Sequence, residues 1–283
     1  MKNKLSLFAV PYVGWMSIFV VAPIIIMVVY AFSTAAGDFT LENFARMGTY
    51  TAVFTRSFKL AIIATLIALL IGYPVSYMLS KEGPQVQRIA MVLIMLPMWM
   101  NFLLRTYSWM SILENNGLLN QLFQQIGLID LYNQIAMHFA SDPAAYVPID
   151  HFQMIGTQGA VVLGMVYNYL PFMILPIYSV LVKLDHSLIE AARDLGASSV
   201  QVFRKVILPL SLPGVLSGIT MVFVPSVSTF AISRLLGGGT QMMLGDLIEQ
   251  QFLGGAYNPQ LGAAIALVMM AIVVVCMLVM KIG

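Results

Sequence analysis

An all-α membrane protein that crosses the bilayer about six times is what this sequence predicts, on three observations. Only 9% of the 283 residues are charged, while 60% are hydrophobic. A soluble domain carries roughly 25% charged residues, so this chain could not cover a water-facing globule of its size. The apolar residues gather in runs long enough for a hydrocarbon core of about 30 Å. The charges that remain lie between those runs, with bases and acids favouring alternate connections.

Six spans follow in order: Phe8–Phe32, Phe58–Ser80, Ile89–Leu113, Gly159–Val182, Val206–Phe230 and Leu261–Lys281. Backbone that faces lipid must satisfy its own hydrogen bonds, so each is expected as a helix. The first begins M-K-N-K and then turns apolar, as a secretory signal does. Its apolar stretch exceeds the roughly 7–15 residues of a cleaved signal core, so it is expected to remain as a helix. Pro23, Pro74, Pro97, Pro171, Pro176, Pro209, Pro213 and Pro225 fall inside the spans. Neighbouring helices and water can satisfy the carbonyls that proline frees, so these positions read either as kinks that shape a pathway or as packing kinks alone.

The connections set the topology. Met1–Leu7, Lys81–Arg88, Lys183–Lys205 and Lys281, with adjoining helix ends, hold nine Lys/Arg against four Asp/Glu. Ser33–Ser57, Glu114–Gln158 and Ala231–Gln260 hold five against eight. The positive-inside rule places the first set, and with it both termini, in the cytoplasm. Residues 1–57 then form a leading helix with its outer connection, and residues 58–283 a five-helix core. Within the long outer connection Gly117–Gly127 reads as a short amphipathic helix and Ser141–Asp150 as irregular loop.

Several classes of chemistry are not supported. A net charge of +2 is too small to suggest a nucleic-acid partner. The single cysteine, Cys276, cannot form an intrachain disulfide. His138, His151 and His186 lack metal-ligand spacing. No phosphate-binding G-x-x-x-x-G-K-[ST] loop occurs, and Gly237–Gly239 reads as an outer turn. No cofactor is implied, and an energy source would have to come from a partner.

The inner connection Lys183–Lys205 is the most informative. Ser187 and Glu190 have capping-box spacing. Leu188, Ala191, Ala192 and Leu195 follow as one apolar face, and Gly196 is a natural stop. Ser198 and Gln201 begin a second helix that runs into the fifth span near Pro209. This short helix carries Glu190, Arg193 and Asp194 on its other face. A helix resting on headgroups is usually rich in Lys/Arg opposite bulky apolar residues. This one is mixed in charge and alanine-rich, which fits docking to a protein better.

Here E-A-A-R-D-L-G at Glu190–Gly196, followed by V-I-L-P at Val206–Pro209, resembles the EAA signature of ABC-importer permeases, with Val206 where isoleucine is usual. The resemblance implies a coupling helix made by Glu190, Ala191, Ala192, Arg193, Asp194 and Gly196 (within about 183–209), seated on an ATP-hydrolysing subunit present in two copies. It also implies a second, homologous permease subunit. Further stretches are similar to spermidine/putrescine permeases of the PotB type: L-P-M-W-M-N-F-L-L-R-T-Y-S-W at Leu96–Trp109, N-N-G-L-L-N at Asn115–Asn120, L-P-F-M-I-L-P-I-Y at Leu170–Tyr178 and L-L-G-G-G at Leu235–Gly239. That likeness implies polyamine cargo, an external polyamine-binding protein and a multi-pass place in the cell membrane. The outer segment Ala140–Thr157 is longer than that family leads one to expect.

A polyamine pathway needs carboxylates and aromatic faces, because bare ammonium groups are costly at mid-membrane and aromatic rings attract them. Trp99, Tyr107, Trp109, Glu114, Asp246 and Glu249 are the candidates, with an interfacial aromatic belt as the plainer reading of the rings. Asn101, Arg105 and Trp109 recur at four-residue spacing. Arg105 would repel a polycation, so it and Asn101 read as structural, with Arg105 paired to a carboxylate such as Glu114 or reaching the outer surface. Permeases for another cationic or small organic solute and ion-coupled secondary transporters remain the alternatives. Secondary transporters usually carry ionisable groups inside their spans, and here there are almost none.

Overall fold

The computed structural model describes residues 11–139 and 146–282, which are helical apart from turns and one isolated bridge between Ser33 and Phe39. Phe8–Val10 of the first expected span and residues 140–145 of the outer segment lie outside the described residues. Five helices are long and apolar enough to span: Pro11–Ala31 (α1), Thr51–Ser80 (α2), Gln158–Leu181 (α7), Leu208–Ser228 (α9) and Pro259–Ile282 (α12). A sixth candidate is a pair bent at a short break, Pro84–Trp99 and Phe102–Gln125, which begins with Pro84–Met95 (α3) and continues after the break with Phe102–Leu113 (α4).

That pair corrects the continuous span expected over Ile89–Leu113. The chain tightens into a 3₁₀ turn at Leu96–Trp99, then turns by 90° before α4 begins. Pro97 removes an amide donor there. Asn101 then restarts the helix, its Oδ1 accepting from the amides of Leu103 at 2.8 Å and Leu104 at 3.4 Å. Asn101 is thus an N-cap and not a member of the face that carries Arg105 and Trp109.

Other prolines leave their helices continuous. Pro74, Pro171, Pro176, Pro213 and Pro225 sit inside helices. Two π-helical turns, Ser17–Val21 and Phe203–Ile207, each end two residues before a proline, Pro23 and Pro209. A proline ring clashes with the carbonyl four residues back, and a wider turn there accommodates it.

The connections expected on the outside are more helical than the sequence led one to expect. Glu114–Gln158 holds Leu118–Gln125 (α5), within the expected Gly117–Gly127, and also Leu128–Phe139 (α6). Ala231–Gln260 holds Ala231–Leu236 (α10) and Leu244–Leu253 (α11). Each is short, and α5, α6 and α11 are amphipathic, so mean hydropathy over a span-length window does not reveal them.

Two compact units make up the chain. The first comprises the described residues up to Thr55 and those from Leu244 onward. Here α1 and α12 meet through Ala31, Ala263 and Ala264, with Met27, Phe44 and Leu267 around them. Asn43 ties the end of α1, its Nδ2 donating to the carbonyls of Ala31 and Ser33, both at 3.0 Å. The second unit runs from Arg56 to Met243. Its core lies among α2, α7 and α9, built from Leu60, Ala64, Met165, Met173, Ile177 and Val222. Gly214 and Gly218 let α9 approach α7 closely. A Cβ at either would stand 2.8 Å from Pro176 O or Met173 Sδ, the small-residue packing usual between membrane helices. Across the same unit the Tyr73 hydroxyl meets Ser211 Oγ at 2.9 Å, and Ser76 Oγ donates to Ile174 O at 3.1 Å.

Candidate functional site

The connection between α7 and α9 folds into a nine-residue helix, His186–Asp194 (α8). Its N-cap is Asp185, whose Oδ1 accepts from the Ser187 amide at 2.9 Å. This corrects the expected Ser187–Glu190 box. Two cap-competent side chains stand two residues apart, and the carboxylate nearer the end of α7 takes the role. The C-terminus closes as a Schellman motif. Gly196 is left-handed at φ +82°, its amide donates to Arg193 O at 2.8 Å, and Ala197 N donates to Ala192 O at 3.0 Å. Ser198 and Gln201 then form the expected reciprocal box. Both ends of α8 are therefore fixed by hydrogen bonds encoded next to it.

The expected apolar face divides in two. Ile189 and Ala192, with Leu184, Ala197 and Phe203, pack onto the core of the unit. Leu188 is half-exposed, Ala191 is exposed and Leu195 is 89% exposed. The inward face is the one that meets Leu181, Val202 and Ile207 when both ends of the loop return to the bundle. What remains outside is a ridge, Leu188–Ala191–Leu195, with exposed Glu190 and Asp194 on its flank. Gly196 is exposed as well. Behind α8 lies a cavity of about 320 Å³ lined by Tyr77, Lys81, Leu181, Ile189, Arg193 and Val202, among others. Lys81 Nζ sits 3.9 Å from the centroid of the Tyr77 ring, a cation–π contact. Neither Ile189 nor the Tyr77–Lys81 wall was singled out by spacing. An isoleucine one position off the strongest stripe carries no pattern of its own.

The candidate pathway residues are dispersed. Trp99 ends the 3₁₀ turn before the bend and is exposed. Tyr107 and Trp109 lie on α4. Tyr107 is half-exposed, while Trp109 packs edge-on against Tyr167 of α7 at 5.3 Å. Glu114 is exposed at the C-cap of α4, and its carbonyl accepts from Asn120 Nδ2 at 3.2 Å. Asp246 and Glu249 lie one turn apart on α11, in the other unit. Asp246 is buried, Glu249 is half-buried, and both are held by interactions.

Arg105 departs from expectation. It is 8% exposed, so it does not reach the surface, and its Nε and Nη1 are buried without a hydrogen-bond partner. No ion pair with Glu114 forms among the described residues. Nine residues are about two and a half helical turns, which puts the two side chains on opposite faces of α4.

Comparisons place this arrangement among known proteins. Residues 64–282 match the family described as "binding-protein-dependent transport system inner membrane component". The chain is 36% identical over 252 residues to the spermidine/putrescine transport system permease protein PotB of Escherichia coli strain K12, covering 86% of this chain and 85% of that one. It is 36% identical over 261 residues to the protein of the same description from Haemophilus influenzae, covering 89% and 85%. Among solved structures, a chain of a bacterial ABC transporter involved in import of the acidic polysaccharide alginate superimposes with a TM-score of 0.77 at 16% identity, covering 99% and 95%. One from the MetNI methionine ABC transporter gives 0.58 at 18% identity, covering 84% and 95%. At such identities the structures speak to fold alone. The chain belongs to the binding-protein-dependent transport system inner membrane component family, and is a multi-pass membrane transport subunit.

Proposed function

We propose that this chain is one permease subunit of an ATP-driven polyamine importer, working with a second homologous permease, two copies of an ATP-hydrolysing subunit and an external binding protein. The observation that carries the coupling part is α8. A helix clamped at both ends presents Leu188, Ala191 and Leu195 outward, with Glu190, Arg193 and Asp194 beside them. Such a ridge matches a groove on another protein better than it matches water. A stroke of the ATPase would pass through α8 into α7 and α9, because α7 reaches it within a few residues and α9 through the capped helical segment Ser199–Ile207. ATP hydrolysis resides on the partner, and this chain supplies half of the pathway.

Residues 58–283 act as the permease core and residues 1–57 as its leading helix. Both termini lie in the cytoplasm, on the side richer in Lys/Arg. The polyamine assignment rests on the 36% identity to the two PotB proteins, whose description names spermidine and putrescine. The candidate pathway residues are Trp99, Tyr107, Trp109 and Glu114 in one unit and Asp246 and Glu249 in the other, each an aromatic face or a carboxylate of the kind that attracts ammonium groups. Uptake of labelled spermidine and of a neutral sugar by the complete complex in vesicles tests this. Spermidine uptake that needs ATP and the binding protein is expected. A complex that moves the sugar and ignores spermidine overturns the cargo assignment and leaves the coupling assignment standing.

A further inference from the structure

The cavity of about 320 Å³ behind α8 brings two cations together from different elements. Lys81 follows the last residue of α2, and Arg193 lies in the last turn of α8. Among the described residues no Asp or Glu lines this cavity, and neither cation forms an ion pair. Each stands at a helix C-terminus, where the dipole favours a positive charge. The dipoles do not explain why both open onto one cavity without a carboxylate. Like charges there repel each other, and an anion between them removes that cost.

Local structure aims both groups. Tyr77 lies one turn before Lys81, and its ring packs edge-on against Phe203 at 5.5 Å. Lys81 Nζ rests over that anchored ring at 3.9 Å, which holds the ammonium group at the cavity wall. Arg193 follows Ile189 by four residues and shares its face of α8. Ile189 packs on the core, so this face turns toward the bundle and away from the ridge Leu188–Ala191–Leu195. A protein docked on that ridge leaves the cavity open.

Depth narrows the ligand. Leu181, which ends α7, and Ile207, which precedes α9, also line the cavity. With 24 residues, α7 is about 36 Å long. That exceeds a hydrocarbon core of about 30 Å, so its ends reach headgroup level. Basic pockets between membrane helices take phosphate-bearing groups at this depth. We infer that the cavity binds one phosphate group between Lys81 and Arg193, carried by an anionic phospholipid headgroup or by a free phosphate. Bound there, it adds α2 to α7 and α9 as a support of α8. This rests on the membrane-spanning fold and is independent of the cargo.

Binding of two probes, to the purified chain and to the complete complex in neutral detergent, tests it. One is radiolabelled inorganic phosphate. The other is phosphatidylglycerol, with zwitterionic phosphatidylcholine as its control. In the complex, whose ATPase sites also take phosphate, the portion removed by Lys81→Gln is read. One site per copy of this chain is expected. Lys81→Gln should weaken it about fivefold, the upper range for one exposed charge pair. Lys81→Arg should retain it, and Lys183→Gln, an exposed lysine outside the cavity, should leave it unchanged. Saturation by phosphatidylglycerol alone identifies the headgroup, and saturation by inorganic phosphate identifies the free anion. No saturable binding of either probe overturns the proposal, as does binding indifferent to Lys81→Gln. Equal losses with Lys81→Gln and Lys183→Gln overturn it in favour of general surface attraction. Binding to the purified chain that vanishes in the complex overturns it in favour of an acidic side chain of the ATPase subunit.

Discussion

Gly196 donates its amide to the Arg193 carbonyl at 2.8 Å from a left-handed conformation, and so ends α8 one residue after Leu195, its most exposed leucine. An L-residue in that conformation costs roughly 1–2 kcal/mol. Gly196→Val should leave the spans intact, since nothing lies within 4 Å of a Cβ built there, but fray the last turn of α8. The variant should insert and purify at normal levels while capture of the ATPase subunit and stimulated ATP hydrolysis both fall. Normal stimulation would remove the docking role from α8.

Ile189 and Leu195 separate the two faces of this helix. Ile189 packs on the core, so Ile189→Ala should lower the melting temperature of the isolated chain, by a loss on the order of 1 kcal/mol for a partly buried side chain. Leu195 touches little within the chain, so Leu195→Asp should leave melting unchanged and reduce binding of the ATPase subunit. Equal melting losses in both variants would contradict the division of faces.

The spans were legible in the sequence because lipid imposes a simple rule: about twenty apolar residues in helical form. Gly196 and the Ser198–Gln201 box were legible because caps are local chemistry. The bend at Asn101 was not, since the apolar run continues through Leu96–Met100 and hydropathy does not register a 3₁₀ turn. Nor was the choice of Asp185 over Ser187, where two caps compete within two residues. The seating of Ile189 depends on where α7 and α9 deliver the ends of the loop, a tertiary fact. Arg105 showed why charge pairing resists reading: proximity in sequence to Glu114 meant opposite faces of one helix.

Arg105 is buried with its Nε and Nη1 unpartnered among the described residues, and a buried donor without a partner costs folding energy. Arg105→Met should leave the melting temperature of the isolated chain unchanged or raise it. Glu114→Gln should leave it unchanged. A fall with Glu114→Gln that disappears in the double variant would reinstate an Arg105–Glu114 pair.

The orientation proposed above, with α8 in the cytoplasm, rests on the charge asymmetry and can be read directly by labelling. A single cysteine at Arg193→Cys, with Cys276→Ser, should react with an impermeant thiol reagent only from the cytoplasmic face. One at Gln134→Cys should react only from outside. The reverse pattern would turn the chain over and place α8 where no ATPase could reach it.

The acids test the cargo unequally, because their burial differs. Asp246 is 4% exposed and held by interactions, so Asp246→Asn disturbs folding and uptake together. Glu114 is exposed at the C-cap of α4, after Trp109 and Tyr107 in the chain, and Asn120 uses its carbonyl and not its carboxylate. Its carboxylate is free to attract a passing ammonium group. Exposed charge pairs are worth about 0–1 kcal/mol, a factor of up to about five in affinity. Glu114→Gln should therefore raise the KM for spermidine by up to about fivefold, with assembly and melting unchanged, and the effect should shrink as salt is added. A neutral solute taken up by the same complex should show no change. If spermidine uptake is indifferent to Glu114→Gln at low salt, the cation path does not pass this end of α4, and the search moves to Glu249 on α11.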